Sequence, residues 1–249
     1  MQFPSISLII PCYNEAVRIP LLFQGLRDFD TQWKGAYEVI IVDDGSNDGT
    51  DLVIQSNPFY ADLKAQNKIN LLQQPNTGKG AALQLGIAHA SKDFMLTLDA
   101  DMATSPITLV RWLEMRNSFS AKEVLIASRE LKNSNVSDSI KRKFVGNIFN
   151  SIIRLTVKLN ITDTQCGFKL YPAHVAQQVF ASLQTTGWAH DVEILAHANF
   201  LGYAIIEMPI TWRAVEGSKI DVLRDGWKMF WEVIRISQLQ KTWKALKKK

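Results

Sequence analysis

Two carboxylates separated by one residue end an apolar run, Leu96-Thr97-Leu98-Asp99-Ala100-Asp101. Side chains two apart on an extended chain share a face, so Asp99 and Asp101 can reach one ligand. Two hard oxygen donors suit a divalent ion of the Mg²⁺ or Mn²⁺ kind, which completes its shell with water and phosphate oxygens. That points to chemistry on a diphosphate, although the pair alone also suits a solvated turn. Two more apolar runs end in polar, acid-bearing segments: Ile6–Ile10 in Pro11-Cys12-Tyr13-Asn14-Glu15, and Tyr37–Val42 in Asp43-Asp44-Gly45-Ser46. Singly, each suits a strand end with a capping Asp; together they predict one shared ligand site. Gly78-Lys79-Gly80 adds a helix start with a cation, a setting that favours an anion and equally suits a solvated helix end.

The elements that must position these groups are legible in the first 130 residues. Strands are predicted near 6–10, 37–42, 69–73, 94–98 and 123–127, with helices near 15–29, 48–56, 78–90 and 105–117. Strand and helix in alternation predict an α/β fold whose mostly parallel sheet carries helices on both faces. In such sheets ligands sit beyond the carboxyl ends of the strands, where all three acidic segments fall. The 249 residues read as one large globular domain over 1–220, followed by a tail over 221–249.

Composition narrows the function. Cys12 and Cys166 have no metal-type spacing, and a reduced, cytosolic setting is expected. The first predicted strand follows Phe3-Pro4 directly, so no leader segment is expected. No apolar run reaches the roughly 18 residues of a membrane span. Of the net charge of +4, the segment Arg224–Lys249 contributes +6, so the rest is net acidic.

Past residue 130 the pattern changes. Lys141-Arg142-Lys143 precedes Phe144, Ile148, Phe149, Ile152, Ile153, Leu155 and Leu159 at helical spacing, a helix over 140–159 that is either buried or laid against lipid. Asp163-Thr164-Gln165-Cys166-Gly167-Phe168-Lys169 reads as a compact polar loop. A helix near Trp188 carries Asp191-Val192-Glu193, and a strand near 203–208 leads to Arg213. In the tail, Trp227, Phe230, Trp231 and Ile234 form one helical stripe flanked by Lys228, Arg235, Lys241 and Lys244. Tryptophan and lysine on an amphipathic helix predict a membrane-interface element; the alternative is a terminal helix packed on its own domain. The tail carries no nucleic-acid-binding motif, so no nucleic acid is expected as a partner.

These motifs together resemble family 2 inverting glycosyltransferases of the GT-A fold, and within them the polyprenyl-phosphate sugar transferases of the dolichyl-phosphate β-glucosyltransferase type. Ser128-Arg129, the Asp163–Lys169 loop, and Glu216-Gly217-Ser218-Lys219 carry the likeness beyond the generic first half. Dolichyl-phosphate mannose synthases look like Arg-x-x-Gly-x-Ser-Lys at the last motif, whereas here Arg213-Ala214-Val215-Glu216-Gly217-Ser218-Lys219 displaces the glycine by one.

The resemblance implies a glycosyltransferase moving a sugar, glucose from UDP-glucose, to dolichyl or undecaprenyl phosphate with inversion. Pro11, Tyr13, Glu15, Asp43 and Asp44 would hold the nucleoside, and Lys79 and Asp99 would border diphosphate and sugar. Asp99 and Asp101 would carry Mg²⁺ or Mn²⁺. Gln165 and Trp188 would contact the sugar, and Arg129, Arg213, Ser218 and Lys219 the acceptor phosphate. Asp191 would orient the attack or the sugar, unless it only pairs with Lys169. The expected setting is the cytoplasmic face of a membrane, with the protein peripherally attached. A GDP-mannose donor, or a non-catalytic nucleotide-sugar binder, are the rival readings.

Overall fold

A computed structural model describes residues 2–137, 153–154, 156–187, 189–213 and 222–247, the last segment with side chains from residue 228. Seven strands form the central sheet: β1 (Ile6–Cys12), β2 (Tyr37–Asp43), β3 (Ile69–Gln73), β4 (Phe94–Thr97), β5 (Glu123–Ser128), β7 (Lys169–Pro172) and β8 (Ala204–Pro209). Their order across the sheet is β3-β2-β1-β4-β7-β5-β8. All neighbours run parallel except around β7, which is antiparallel to both β4 and β5. Two short strands, β6 (Asn135–Ser137) and β9 (Thr211–Arg213), pair separately.

Burial on both sides explains the near-continuous apolar runs of β1 and β2. Ile6, Leu8 and Ile10 face one core with α1 (Ile19–Gln32), α3 (Pro58–Ala65) and α5 (Thr108–Arg116), joined by Ile54 of the short α2 (Thr50–Gln55). Ile9, Ile40 and Val42 face the other core with α4 (Lys79–His89), α6 (Ala173–Ala181), α7 (His190–Leu201) and α8 (Val222–Leu246). The expected α/β sheet with helices on both faces is therefore the architecture the chain adopts.

Five elements lie outside the expected set: α3, α6, β7 and the short pair β6 and β9. Helix α3 begins at Pro58, with the Asn57 side chain accepting the Phe59 N–H at 3.0 Å. Helix α6 follows β7 directly, and β7 itself is four residues long, too short to show a period.

The tail helix docks on the domain through residues other than the predicted interface stripe, of which Phe230 and Ile234 are half-buried and the Trp227 side chain lies outside the described residues. Val233 and Ile236 are buried, and Trp243 stacks on His197 of α7 with ring centroids 4.6 Å apart. Trp231 stays 56% exposed. Two buried apolar side chains, Val233 and Ile236, and the half-buried Trp243 make the contact, while Lys228, Trp231 and Arg235 are exposed at i, i+3 and i+7, Arg235 donating to Gln184 Oε1 at 3.2 Å. The described part of the 140–159 segment enters the same core: Ile153, Val157 and Leu159 are buried, and the Gln240 side chain of α8 donates to the Val157 carbonyl at 3.1 Å. Lys141, Arg142, Lys143, Phe144, Ile148, Phe149, Ile152 and Leu155 lie outside the described residues, as do Trp188, Ser218 and Lys219.

Candidate active site

From β1 the chain runs outward to β2 and β3, then returns to the far side of β1 as β4. That reversal opens a crevice at the carboxyl ends of β1 and β4, the place where open α/β sheets bind ligands. Asp99 and Asp101 lie just past β4. Between and before them, Ala100 and Leu98 are buried, so the two acids alternate outward together. Asp101 accepts the Ala103 N–H at 2.9 Å, which fixes one of its oxygens. Burial and the neighbouring charge of Asp99 push the Asp101 carboxyl above its ordinary range.

Lys79 opens α4 and brings its ammonium 2.5 Å from Asp99 Oδ1. Burial opposes its charge, but Asp99, Asp191 and Asp101 together raise its pKa, so it is a permanent cation beside the acid pair. The turn before it is held by Asp44, whose carboxylate accepts the N–H groups of Thr77 (3.0 Å) and Gly78 (2.9 Å) and the side-chain amide of Gln74 (2.7 Å). Gly78 sits at φ +102°, a conformation that side-chain-bearing residues rarely adopt.

The β1 and β2 tips are laced together by backbone donors. Asn14 N–H donates to Ser46 Oγ at 2.8 Å, Glu15 N–H to Thr50 Oγ1 at 2.8 Å, and Ser46 N–H to Asp43 Oδ1 at 3.1 Å. The Glu15 carboxylate meets Arg18 at 2.6 Å, while Tyr13 is 38% exposed at the rim. Pro11, Tyr13, Glu15, Asp43 and Asp44 thus share one edge of the sheet with Asp99 and Asp101, as the strand-tip reading expects.

The inserted strand β7 decides the rest of the site. Being antiparallel, it begins where its neighbours end, with Lys169 opposite Thr97. The loop before it therefore arrives at the acid pair. Gly167 packs so closely that a Cβ there would lie 2.5 Å from Asp99 Oδ2. Thr97 Oγ1 donates to the Gly167 carbonyl at 2.9 Å. Cys166 and Cys12 are both buried; burial pushes the Cys166 thiol up to about 12, which suits packing rather than chemistry.

Lys169 is fully buried and gives its ammonium to Asp191 (2.6 Å) and to the Cys166 carbonyl (2.5 Å). Although burial works against the charge, the ammonium groups of Lys169 and Lys79 hold the Asp191 carboxyl below its usual range. His190 next to it is kept neutral by burial, with Nδ1 2.7 Å from the Gly187 carbonyl and Nε2 3.6 Å from Asp191 Oδ2. So the Asp191–Lys169 pairing is made, and Asp191 is a weak base.

Arg129 is likewise engaged. Its Nε and backbone N–H donate to Asp163 Oδ2 at 2.7 and 3.0 Å, and its terminal nitrogen to Oδ1 at 2.9 Å. Burial opposes the charge on Asp163, but these bonds lower its pKa. Arg129 also lies over the Trp212 ring at 5.6 Å. Arg213 enters from β9, its N–H donating to the Ala103 carbonyl at 3.0 Å, two residues beyond Asp101. Gln165 is half-buried in the loop that Asp163 caps, its N–H reaching Asp163 Oδ1 at 3.2 Å.

Glu207 escaped the sequence reading. It accepts the Thr162 and Asp163 N–H groups at 3.1 Å and the Thr162 hydroxyl, and so seats the same loop. An acid in the apolar run Ile205-Ile206-Glu207-Met208 was the available signal.

The sheet order, its crevice and the acid pair define a GT-A-type glycosyltransferase fold. The crystal structure of glucosyl-3-phosphoglycerate synthase from Mycobacterium tuberculosis in complex with Mn²⁺ and uridine-diphosphate-glucose is similar to it, with a TM-score of 0.66 and 16% identity over 95% of this chain and 79% of that one. Residues 7–180 match the model for glycosyl transferase family 2, and the chain belongs to that family. It is 33% identical over 258 residues to the dolichyl-phosphate beta-glucosyltransferase of Dictyostelium discoideum, covering 94% of this chain and 78% of the relative. The protein of the same name from Saccharomyces cerevisiae is 31% identical over 252 residues, covering 93% and 73%.

Proposed function

We propose that this family 2 enzyme transfers glucose from UDP-glucose to a polyprenyl phosphate, dolichyl or undecaprenyl, with inversion to a β-linked product. The observation that carries the reading is the acid pair Asp99 and Asp101 at the sheet's switch point with the Lys79 ammonium against it. The names of the relatives, similar over most of the chain, supply the substrate class.

The donor set fits a divalent ion. Asp99 and Asp101 stand two residues apart just past β4, and burial, with the charge of Asp99 beside it, raises the Asp101 pKa, so a cation there would be favoured. Among the described residues no cluster of three or more His, Cys, Asp or Glu exists, so diphosphate and water would complete the shell. When bound, Mg²⁺ or Mn²⁺ supplies Lewis-acid stabilisation for the departing diphosphate.

The chain's own residues do the rest. Pro11, Tyr13, Glu15 and Asp43 border the nucleoside, Asp44 shapes the turn against it, and Lys79 meets the diphosphate. An oxygen of the acceptor phosphate attacks the anomeric carbon as the bond to the UDP oxygen breaks, and that oxygen keeps the electron pair. A phosphate is already anionic near neutral pH and asks for orientation rather than a strong base. The low pKa of Asp191 agrees with that demand. Arg129, Arg213, Ser218 and Lys219 compensate the acceptor's charge, and Gln165, Trp188 and Asp191 position the sugar.

Incubation with labelled UDP-glucose, UDP-N-acetylglucosamine and GDP-mannose and a mixed polyprenyl-phosphate fraction tests this. A β-glucosyl lipid from UDP-glucose is the expected product. Transfer from GDP-mannose alone, or nucleotide-sugar binding without transfer, would refute the assignment.

Membrane attachment at the cytoplasmic face belongs to the same reading. Among the described residues no helix is long and apolar enough to cross a bilayer. The outward Lys228, Trp231 and Arg235 of α8 form a face suited to an anionic lipid interface. Replacing all three (K228Q, W231A, R235Q) is expected to cut co-sedimentation with anionic vesicles at least about tenfold, at roughly 1 kcal/mol per basic residue. Undiminished binding would leave α8 as a packing element only.

A further inference from the structure

Glu193 lies in the first turn of α7 and is 2% exposed. Its two carboxylate oxygens accept the backbone N–H groups of Gln184 (2.9 Å) and Thr185 (2.8 Å). A buried carboxylate receiving two amides is a strong local fastener, because leaving either side unpaired is costly. The loop it fastens does not stop at α7. It lies flush on the first turn of α4, where the Gly80 N–H donates to the Thr186 carbonyl at 2.9 Å. A Cβ at Gly78 would come 2.6 Å from the Thr186 carbonyl oxygen, and one at Gly80 2.8 Å from that of Thr185.

Lys79 stands between these two glycines. Asp44 holds the turn from the sheet side through Thr77 and Gly78, and the 184–187 loop holds it from the helix side. The backbone that aims the Lys79 ammonium is therefore gripped between two carboxylates, neither of which touches that ammonium.

We propose that Glu193 is a positioning residue for donor binding: it fixes the 184–187 loop, the loop fixes Gly78–Gly80, and these set where Lys79 presents its charge. The inference rests on the reading that Lys79 meets the donor diphosphate. If Glu193 served only the α6–α7 connection, its loss would lower thermal stability without a selective effect on the donor.

The test is a double-mutant cycle with E193Q, K79M and the pair, reading donor KM, kcat and Tm. Glutamine keeps the volume and one acceptor oxygen, so one of the two amide bonds is lost. E193Q is expected to raise the donor KM about tenfold in the parent and less than about twofold in the K79M background, since the lysine it would position is then gone. Equal effects in both backgrounds would overturn the proposal, as would a lower Tm with an unchanged KM. G80A provides a second route should E193Q not fold, because its methyl presses on the same loop from α4. An unchanged donor KM in G80A would also overturn it. K79M alone leaving the donor KM unaltered would remove the lysine–diphosphate reading, and the inference with it; the two failures are thus told apart.

Discussion

Asp101→Asn is expected to lower sugar transfer by about 10²–10³-fold and to weaken Mn²⁺ binding in the presence of UDP. Asparagine is nearly isosteric and retains an acceptor for the Ala103 N–H, so the turn after β4 should survive. What disappears is one of the two carboxylates assigned to the metal. The remaining Asp99 shares an oxygen with Lys79, which leaves a divalent ion one unshared anionic neighbour fewer. Initial rates across a Mn²⁺ titration, with Mn²⁺ binding followed by electron paramagnetic resonance, check both halves. Near-parental, metal-independent transfer in this variant would take the acid pair out of the mechanism.

Lys169→Met is expected to cost about 3–5 kcal/mol of stability, because it strands Asp191 as an unpaired buried charge. Lys169 is fully buried, and its ammonium closes both the Asp191 carboxylate and the Cys166 carbonyl. For a chain of this size the loss corresponds to a fall in Tm on the order of 10 °C. Adding Asp191→Asn should return most of it, since no lone charge then remains. A pH series separates this from loss of packing. The folded pKa of Asp191 is depressed, so the pair's stabilisation is present above the unfolded carboxylate pKa of about 3.9 and is lost as pH falls through the lower folded value. The double variant should lack that acid-side component. A single K169M chain melting with the parent would show that the buried pair contributes nothing net.

Lys169 also shows where sequence reading ran out. The central parallel strands β1, β2, β4 and β5 were legible because each is an apolar run that is almost wholly buried, and most of the helices because their apolar faces repeat at helical spacing. The acids at the strand ends were legible for the same reason, since a strand's direction fixes which end carries the site. Strand β7 was not, because four residues carry no period. With β7 missing from the picture, the Asp163–Lys169 segment read as a polar loop. Its polar groups are in fact consumed inward, by Arg129, Glu207 and Asp191.

The tail illustrates a different limit. Its basic, tryptophan-bearing helix was visible, but two rotations of an amphipathic helix can each bury an apolar stripe. Which stripe docks depends on the shape of α7, where His197 and Phe200 receive Trp243. Asp44 and Glu193 show the same dependence at the site. Nothing local says whether a carboxylate faces a ligand or an amide, because that is set by which backbone arrives from elsewhere in the chain.

By itself, then, the sequence determined the layered α/β sheet and the end of it where the candidate acid pair lies, since periodicity and strand polarity are local properties. Only the tertiary structure decided that β7 reverses direction to bring the Gly167 loop onto Asp99, that Lys169 closes Asp191, and that Lys79 is held between Asp44 and the Glu193 loop. Those contacts join segments tens of residues apart, and their geometry exists only once the sheet order brings them together.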